Sequence, residues 1–246
     1  MGIAYGVTTN FQATKGIVQD GLILNVDTMS DQNSNTLFKD FSGSSRTVNI
    51  GNVSNFTKTA EGLILDLDGT NQNVQIIDSS DNLKFESSAY SVGVWVKIES
   101  GAVNQGNLLR IIGKRSHSNA DVGPYWSIQM YANGTGGVIP QMRSNGANES
   151  TSTYTYGEWA YITSTNSSGN GGTTKLYNGS SQIATATTSQ TAAYGYTANY
   201  PVILGTVYQW NSGKSYAIGP VHIYNRVLSA NEVAQNFNVM RHRFGI

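Results

Sequence analysis

The sequence predicts an all-β fold: a two-sheet antiparallel sandwich closed by one short C-terminal helix. Three observations predict it. Short runs of alternating apolar residues recur along the chain, separated by clusters of Gly, Asn, Ser and Asp. One helix-start signature stands near the end, at Ser229-Ala230-Asn231-Glu232. No composition break, linker or internal repeat divides the 246 residues, so one large β domain accounts for them.

Residues 1–18 show no period. Gly2, Gly6 and Gly16 interrupt them, and Tyr5 and Phe11 are the apolar anchors of what reads as an N-terminal arm. The domain is expected over 19–246. Its first strand is 21–27, with Leu22, Leu24 and Val26 on one face. A polar stretch, 28–36, leads to a turn-rich segment at 37–43. Leu63, Leu65 and Leu67 alternate in the next strand. Asp68-Gly69 then reads as a hairpin turn, with 74–77 as the return strand. Residues 90–98 alternate most cleanly: Val92, Val94, Val96 and Ile98 face one way, and Ser91, Gly93, Trp95 and Lys97 the other. Further strands are expected at 108–114, 126–131, 137–142, 159–163, 173–177, 182–187, 202–204 and 216–224. Lys175-Leu176-Tyr177-Asn178-Gly179 signals a hairpin. Val233, Phe237, Met240 and Phe244 recur at helical spacing, which places a helix at about 229–244. Its capping box pairs the Ser229 hydroxyl with the N–H three residues on, and the Glu232 carboxylate with the N–H of Ser229.

Composition narrows the classes. An apolar content of 39% supports a real core, and there is no run of eighteen apolar residues to span a membrane. Residues 1–11 lack the basic-then-apolar order of a secretory signal, so synthesis in a cytoplasm without export by that route is expected. The chain has no cysteine, which removes disulfides, thiolate metal sites and cysteine nucleophiles. Charged residues are only 12%, and fifteen basic residues balance fifteen acidic ones. No basic stripe is present, so nucleic acid is not an expected partner.

Several motifs, in order, resemble one family. They are Asp20-Gly21-Leu22-Ile23-Leu24, Phe38-Lys39-Asp40-Phe41-Ser42-Gly43, Leu67-Asp68-Gly69-Thr70-Asn71, Ser91 to Lys97 with Trp95 inside it, Ile112-Gly113-Lys114, Gly157-Glu158-Trp159 and Leu176-Tyr177-Asn178-Gly179. The closing run is Ile218-Gly219-Pro220-Val221-His222-Ile223-Tyr224-Asn225-Arg226, followed by Leu228-Ser229 and Glu232-Val233. Together they resemble the laminin-G-like, concanavalin-A-like jelly-roll domains, in the version found in structural proteins of tailed bacteriophages. The resemblance covers nearly all of residues 19–246 and implies a jelly-roll sandwich. It implies little about ligand, because most of these positions are strand and turn residues.

Chemistry is sparse. Hydrolases of this fold carry Glu-x-Asp-x-x-Glu on one strand; here Glu61, Glu86, Glu99, Glu149, Glu158 and Glu232 have no Asp two residues on. His117, His222 and His242 lack metal-ligand spacing and read as satisfied or solvated. Some relatives bind calcium at the sandwich rim. Asp78, Asp81, Asp121 and Asn133 are the available oxygen donors, but nothing groups them, so no cofactor or metal residue is assigned. The aromatic residues are more suggestive: Tyr154, Tyr156, Trp159 and Tyr161 form one cluster, with Trp159 read as core. Tyr194, Tyr196 and Tyr200 form a second, and Trp210 lies in a loop. Tyr194, Tyr196, Tyr200 and Trp210, with Tyr5 and Phe11 of the arm, are the candidate contacts to a sister subunit or a glycan.

The resemblance points first to a non-enzymatic virion structural protein, on the capsid or in a tail or fibre. It would be assembled in the host cytoplasm, contact other virion proteins through the arm and the C-terminal segment, and form a homo-oligomer such as a trimer. The alternative is a carbohydrate-binding, lectin-like module that recognises host surface glycans.

Overall fold

Residues 16–30, 37–50, 56–59, 62–67, 73–80, 82–85, 88–102, 108–114, 126–132, 138–143, 147–149, 152–168, 170–189, 200–205 and 216–246 are described by the computed structural model. Their period-two alternation forms two antiparallel sheets of eight strands each. The first sheet contains β1 (Leu22–Val26), β4 (Phe56–Thr59), β5 (Gly62–Leu67), β7 (Tyr90–Ile98), β12 (Trp159–Asn166), β13 (Asn170–Asn178), β14 (Ser181–Ser189) and β16 (Tyr216–Tyr224). Its order is β14-β13-β12-β7-β16-β5-β4, and β1 also pairs with β16. The second contains β2 (Leu37–Phe38), β3 (Val48–Ile50), β6 (Asn73–Ile76), β8 (Leu108–Lys114), β9 (Trp126–Ala132), β10 (Val138–Arg143), β11 (Ala147–Glu149) and β15 (Val202–Gly205), in the order β11-β10-β9-β8-β15-β6-β3-β2. Helix α1 (Ala230–Met240) and a 3-10 turn (Arg241–Phe244) end the chain.

Val92, Val94, Val96 and Ile98 of β7 point into the core between the sheets, against Ile128, Met130, Leu109 and Val202. Burying each large apolar side chain there contributes about 1.5–3 kcal/mol. Proline is tolerated in β16 because Pro220 lies at a register shift, where it is not needed in the ladder with β7. The same irregularity divides the strand's other edge: β5 pairs along Tyr216–Ile218 and β1 along Val221–Tyr224.

Some sequence expectations change. Asp68-Gly69 lies outside the described residues, but the strands on either side of it do not pair. β5 lies in the first sheet, on β16 and β4, and β6 in the second, on β15 and β3. The connection is thus a crossover between sheets, not a hairpin. Leu37–Phe38, read as part of a turn, forms β2, and residues 44–60 and 147–149, left unassigned, supply β3, β4 and β11. Ile17 and Val18, placed in the arm, are buried in the packed body. The 178–181 hairpin forms as expected, with Asn178 opposite Ser181 and Gly179 at φ 60°, which glycine adopts without strain. The capping box on α1 is also formed: Ser229 accepts from the Glu232 N–H, and Glu232 accepts from the Ser229 N–H at 2.8 Å.

Candidate functional site

The two sheets differ in what covers their outer faces. On the first, Trp95 does not face solvent. It stacks on Phe244 (ring centroids 4.1 Å apart), Tyr161 (5.3 Å) and Phe237 (5.7 Å). Trp159 packs on the same Phe244 ring at 4.6 Å. Helix α1 and residues 17–22 seal this face with Ile17, Val18, Leu22, Val233 and Met240. Polar clasps hold the seal. Arg243 grips Asp27 through two bonds of 2.8 and 3.0 Å. Asn236 accepts from the Val18 N–H and donates to the Tyr224 hydroxyl, which donates to the Val18 carbonyl.

His222 lies beneath this layer with no exposure, its Nδ1 3.1 Å from the Tyr161 hydroxyl. Burial, helped by the nearby Arg243 charge, lowers its pKa to about 3, so it stays neutral. Gly93 makes room for this pair, because a Cβ there would stand 2.2 Å from the Tyr161 hydroxyl oxygen. Among the described residues, the face is a packed layer.

The second sheet carries a different face. Register places Arg110 opposite Gln129, Gln129 opposite Gln141 and Gln141 opposite Glu149, one polar row across β8, β9, β10 and β11. Adjacent outward rows hold Tyr131 with Ile139, and Gly113 with Ser127, Ile203 and Gln75. Gln129 donates to the Gln141 side-chain oxygen at 2.8 Å. Ser127 Oγ and Gln129 Oε1 are buried with no hydrogen-bond partner. Each such group costs about 1–3 kcal/mol while unmet. Arg110, Tyr131 and Gln75 around them stay half-exposed. Gly113 lets β8 and β9 approach here: a Cβ would meet the Ser127 Cβ and the Trp126 carbonyl, both at 2.7 Å.

The predicted site residues are distributed otherwise. Tyr5, Phe11, Tyr194, Tyr196 and Trp210 lie outside the described residues. Tyr200 is half-buried against the core, and its carbonyl accepts from the Lys114 ammonium at 2.9 Å. Tyr154, Trp159 and Tyr161 are buried, and Tyr156 is half-buried, so that cluster is structural. The Tyr154 hydroxyl accepts from the Ile98 N–H, and burial pushes its pKa up to about 12.

Asp78, considered as a calcium donor, is fully committed. Oδ1 takes Arg46 at 2.9 Å, and Oδ2 takes Lys114 at 2.6 Å and the Leu83 N–H at 2.9 Å. Lys114 itself is completely buried, although its place in a strand next to Gly113 gave no sign of it. Asp81, Asp121 and Asn133 lie outside the described residues, and no cluster suited to a metal ion occurs among the described ones. No described helix is long and apolar enough to cross a membrane.

The row Arg110–Gln129–Gln141 was missed in the sequence because its members are spread over three strands. Only pairing register brings them together.

A laminin-G-type family model, described as the concanavalin A-like lectin/glucanases superfamily, matches residues 68–234. Solved structures share the fold. The binding domain of botulinum neurotoxin serotype D aligns with a TM-score of 0.66 at 15% identity, over 90% of this chain and 52% of that one. The binding domain of Paraclostridial Mosquitocidal Protein 1 gives 0.66 at 17%, over 90% and 52%. A Trypanosoma rangeli sialidase in complex with sialic acid gives 0.63 at 13%, over 91% and 33%. The chain therefore spans about half the length of the toxin binding domains it matches, and the likeness is one of fold. No curated protein matches it in sequence. With well over half its length matched by the family model and a sandwich that agrees, the chain belongs to the concanavalin A-like lectin/glucanases superfamily.

Proposed function

We propose that the protein is a carbohydrate-binding, lectin-like module, without catalytic activity, that holds glycan on the outer face of its second sheet. One observation carries the reading: half-exposed Arg110, Tyr131 and Gln75 surround a polar row, Gln129 and Gln141, whose buried floor holds the unmet atoms of Ser127 and Gln129. Sugar hydroxyls both donate and accept, so they satisfy such a row, while a half-exposed aromatic ring covers the apolar face of a pyranose. Among the described positions of these rows, Glu149 is the one acidic register partner, whereas hydrolysis by the two-carboxylate route needs a pair. The family, which includes lectins, supports the same reading.

A glycan array followed by calorimetry tests it. Saturable binding is expected, and Gln129→Leu is expected to weaken it about tenfold by removing the central donor and acceptor. No binding to any sugar, or binding unchanged in a folded Gln129→Leu variant, contradicts the proposal.

A virion structural role is a second reading, resting on the motif resemblance; residues 16–20 bear on where an attachment would leave the domain. Gln235 donates to the Gly16 carbonyl at 2.8 Å, and Arg226 donates to that of Asp20 at 3.0 Å. Whatever precedes residue 16 therefore joins the domain beside α1, on the side away from the polar face. Chain lacking residues 1–15 should fold but fail to enter phage particles; normal occupancy on purified particles rules this role out.

A further inference from the structure

We propose that the protein binds water in a closed site beneath the seal of its first sheet, where it bridges the Asn25 side chain and His222 Nε2. Asn25 and His222 have no exposure. Both ends of the Asn25 amide, Nδ2 and Oδ1, and the Nε2 of His222 are buried with no hydrogen-bond partner among the described residues. Buried polar groups are almost always paired, with protein or with ordered water. Unmet atoms on two adjoining residues therefore call for a shared ligand.

Register makes the two residues adjoin. Asn25 on β1 stands opposite His222 on β16, and His222 opposite Gly93 on β7. The backbone of Asn25 turns away from β16: its N–H donates to Asp40 Oδ1 at 3.0 Å, and its carbonyl accepts from the Phe41 N–H at 2.7 Å. Asn25 and His222 thus form the narrow kind of antiparallel pair, with Cα atoms about 4.5 Å apart and side chains close together. Leu24 and Val26 point into the core between the sheets, so Asn25 lies on the sealed face with the histidine.

The polar groups packed around them are already used. Nδ1 of His222 meets the Tyr161 hydroxyl at 3.1 Å. Asn236 is taken by Val18 and Tyr224, Arg243 by Asp27, and Ser91 Oγ by the Arg226 carbonyl and the Leu228 N–H. Thr163 Oγ1 is buried and unmet as well, but Thr163 stands two strands from His222, with Gly93 between them. Trp95, also unmet at Nε1, lies a row away, opposite Tyr161.

Water is the occupant these atoms fit. Asn25 Nδ2 only donates and Oδ1 only accepts, while the Nε2 of a neutral histidine takes whichever role Nδ1 leaves to it. An anion would leave Oδ1 unmet, and a cation would leave Nδ2 unmet. A water molecule both donates and accepts, so it serves one end of the amide together with Nε2 and can pass a bond to a second water at the other end. The resulting chain, Asn25–water–His222–Tyr161, ties β1, β16 and β12 together beneath α1 and holds the imidazole from both sides. It concerns the sealed face and does not rest on the glycan reading.

A high-resolution crystal structure of the whole chain tests this, with a bromide-soaked crystal beside it. A density peak is expected within about 2.7–3.2 Å of both an Asn25 amide atom and His222 Nε2, with no anomalous bromide signal. In solution, the Asn25 side-chain amide of isotopically labelled protein should show a cross-peak to water, with the sign that marks a long-lived bound molecule. Asn25→Val keeps a strand-favouring side chain and removes both amide atoms, so the bridging peak should be lost. Direct bonding of Asn25 to His222 overturns the proposal. So does an anomalous bromide peak at the site, or a peak that persists in Asn25→Val. If that variant does not fold, the wild-type measurements decide alone, and absence of either the density or the cross-peak overturns the proposal.

Discussion

His222 and Lys114 show how little a residue's type says until its neighbours are known. Both are fully buried ionisable groups on strands, and the structure treats them in opposite ways. Lys114 is matched by Asp78, which Arg46 also holds. Replacing Lys114 with Met is expected to cost about 3 kcal/mol in urea unfolding, because it strips one cation from a buried carboxylate. The double change Lys114→Met with Asp78→Leu is not expected to rescue it, since Arg46 then loses its carboxylate and keeps only the neutral Ile23 carbonyl and Asn82 side chain. His222 is instead kept neutral. Its pKa is depressed in the folded state, so as pH falls below the ordinary histidine value of 6.5 the unfolded chain takes up a proton that the folded one refuses. Stability should therefore decline from about pH 6.5 toward pH 3, by up to about 1.4 kcal/mol per pH unit from this group. His222→Gln should flatten that part of the pH–stability curve, as chemical denaturation at several pH values would show. The sequence read the histidine as satisfied or solvated. It is buried and half satisfied: Tyr161, sixty-one positions away and beside it only through register, meets Nδ1, while Nε2 is buried with no partner among the described residues.

At the scale of elements, helix α1 was legible in advance and the strand pairing only partly so. The capping box is a local signal read within four residues, and the structure forms it. Glu232 also takes Arg226 in a two-pronged pair, which holds its pKa down to about 2. That contribution is present above the ordinary carboxylate range near 4.5 and is lost as pH falls through about 2. Ser229→Ala should destabilise the protein by about 1 kcal/mol, measurable as a lowered urea midpoint. By contrast, Asp68-Gly69 announces a turn without saying whether the next strand pairs back or crosses to the other sheet. Pairing of β5 with Tyr216–Ile218, about 150 positions downstream, is a tertiary fact. The strong alternation in β7 was read correctly, yet its second face is not solvent-facing. Trp95 on that face meets Phe244, and the helical spacing of Phe237 and Phe244 was the only sequence hint of a partner.

Across the whole molecule, one sheet face is sealed by aromatic rings and α1, and the other keeps the polar row Arg110–Gln129–Gln141; buried unmet atoms occur on both, at Trp95, Thr163 and His222 under the seal and at Ser127 and Gln129 in the row. Under the proposed function the two faces have different work: stability on the first, ligand on the second. The seal also sets what a truncation should do. Removal of residues 1–15 should leave the melting temperature near wild type, whereas removal through Asp20 deletes buried Ile17 and Val18 and the bonds to Asn236 and Tyr224, and should cost several kcal/mol by calorimetric unfolding. The most direct test of the functional claim is an NMR titration of the isotopically labelled protein with the best oligosaccharide from an array, following the side-chain amide signals of glutamine. The account predicts that the Gln129 and Gln141 amide groups shift saturably while those of Gln182 and Gln235 stay still. Shifts confined to other positions, or none at saturating sugar, would contradict it.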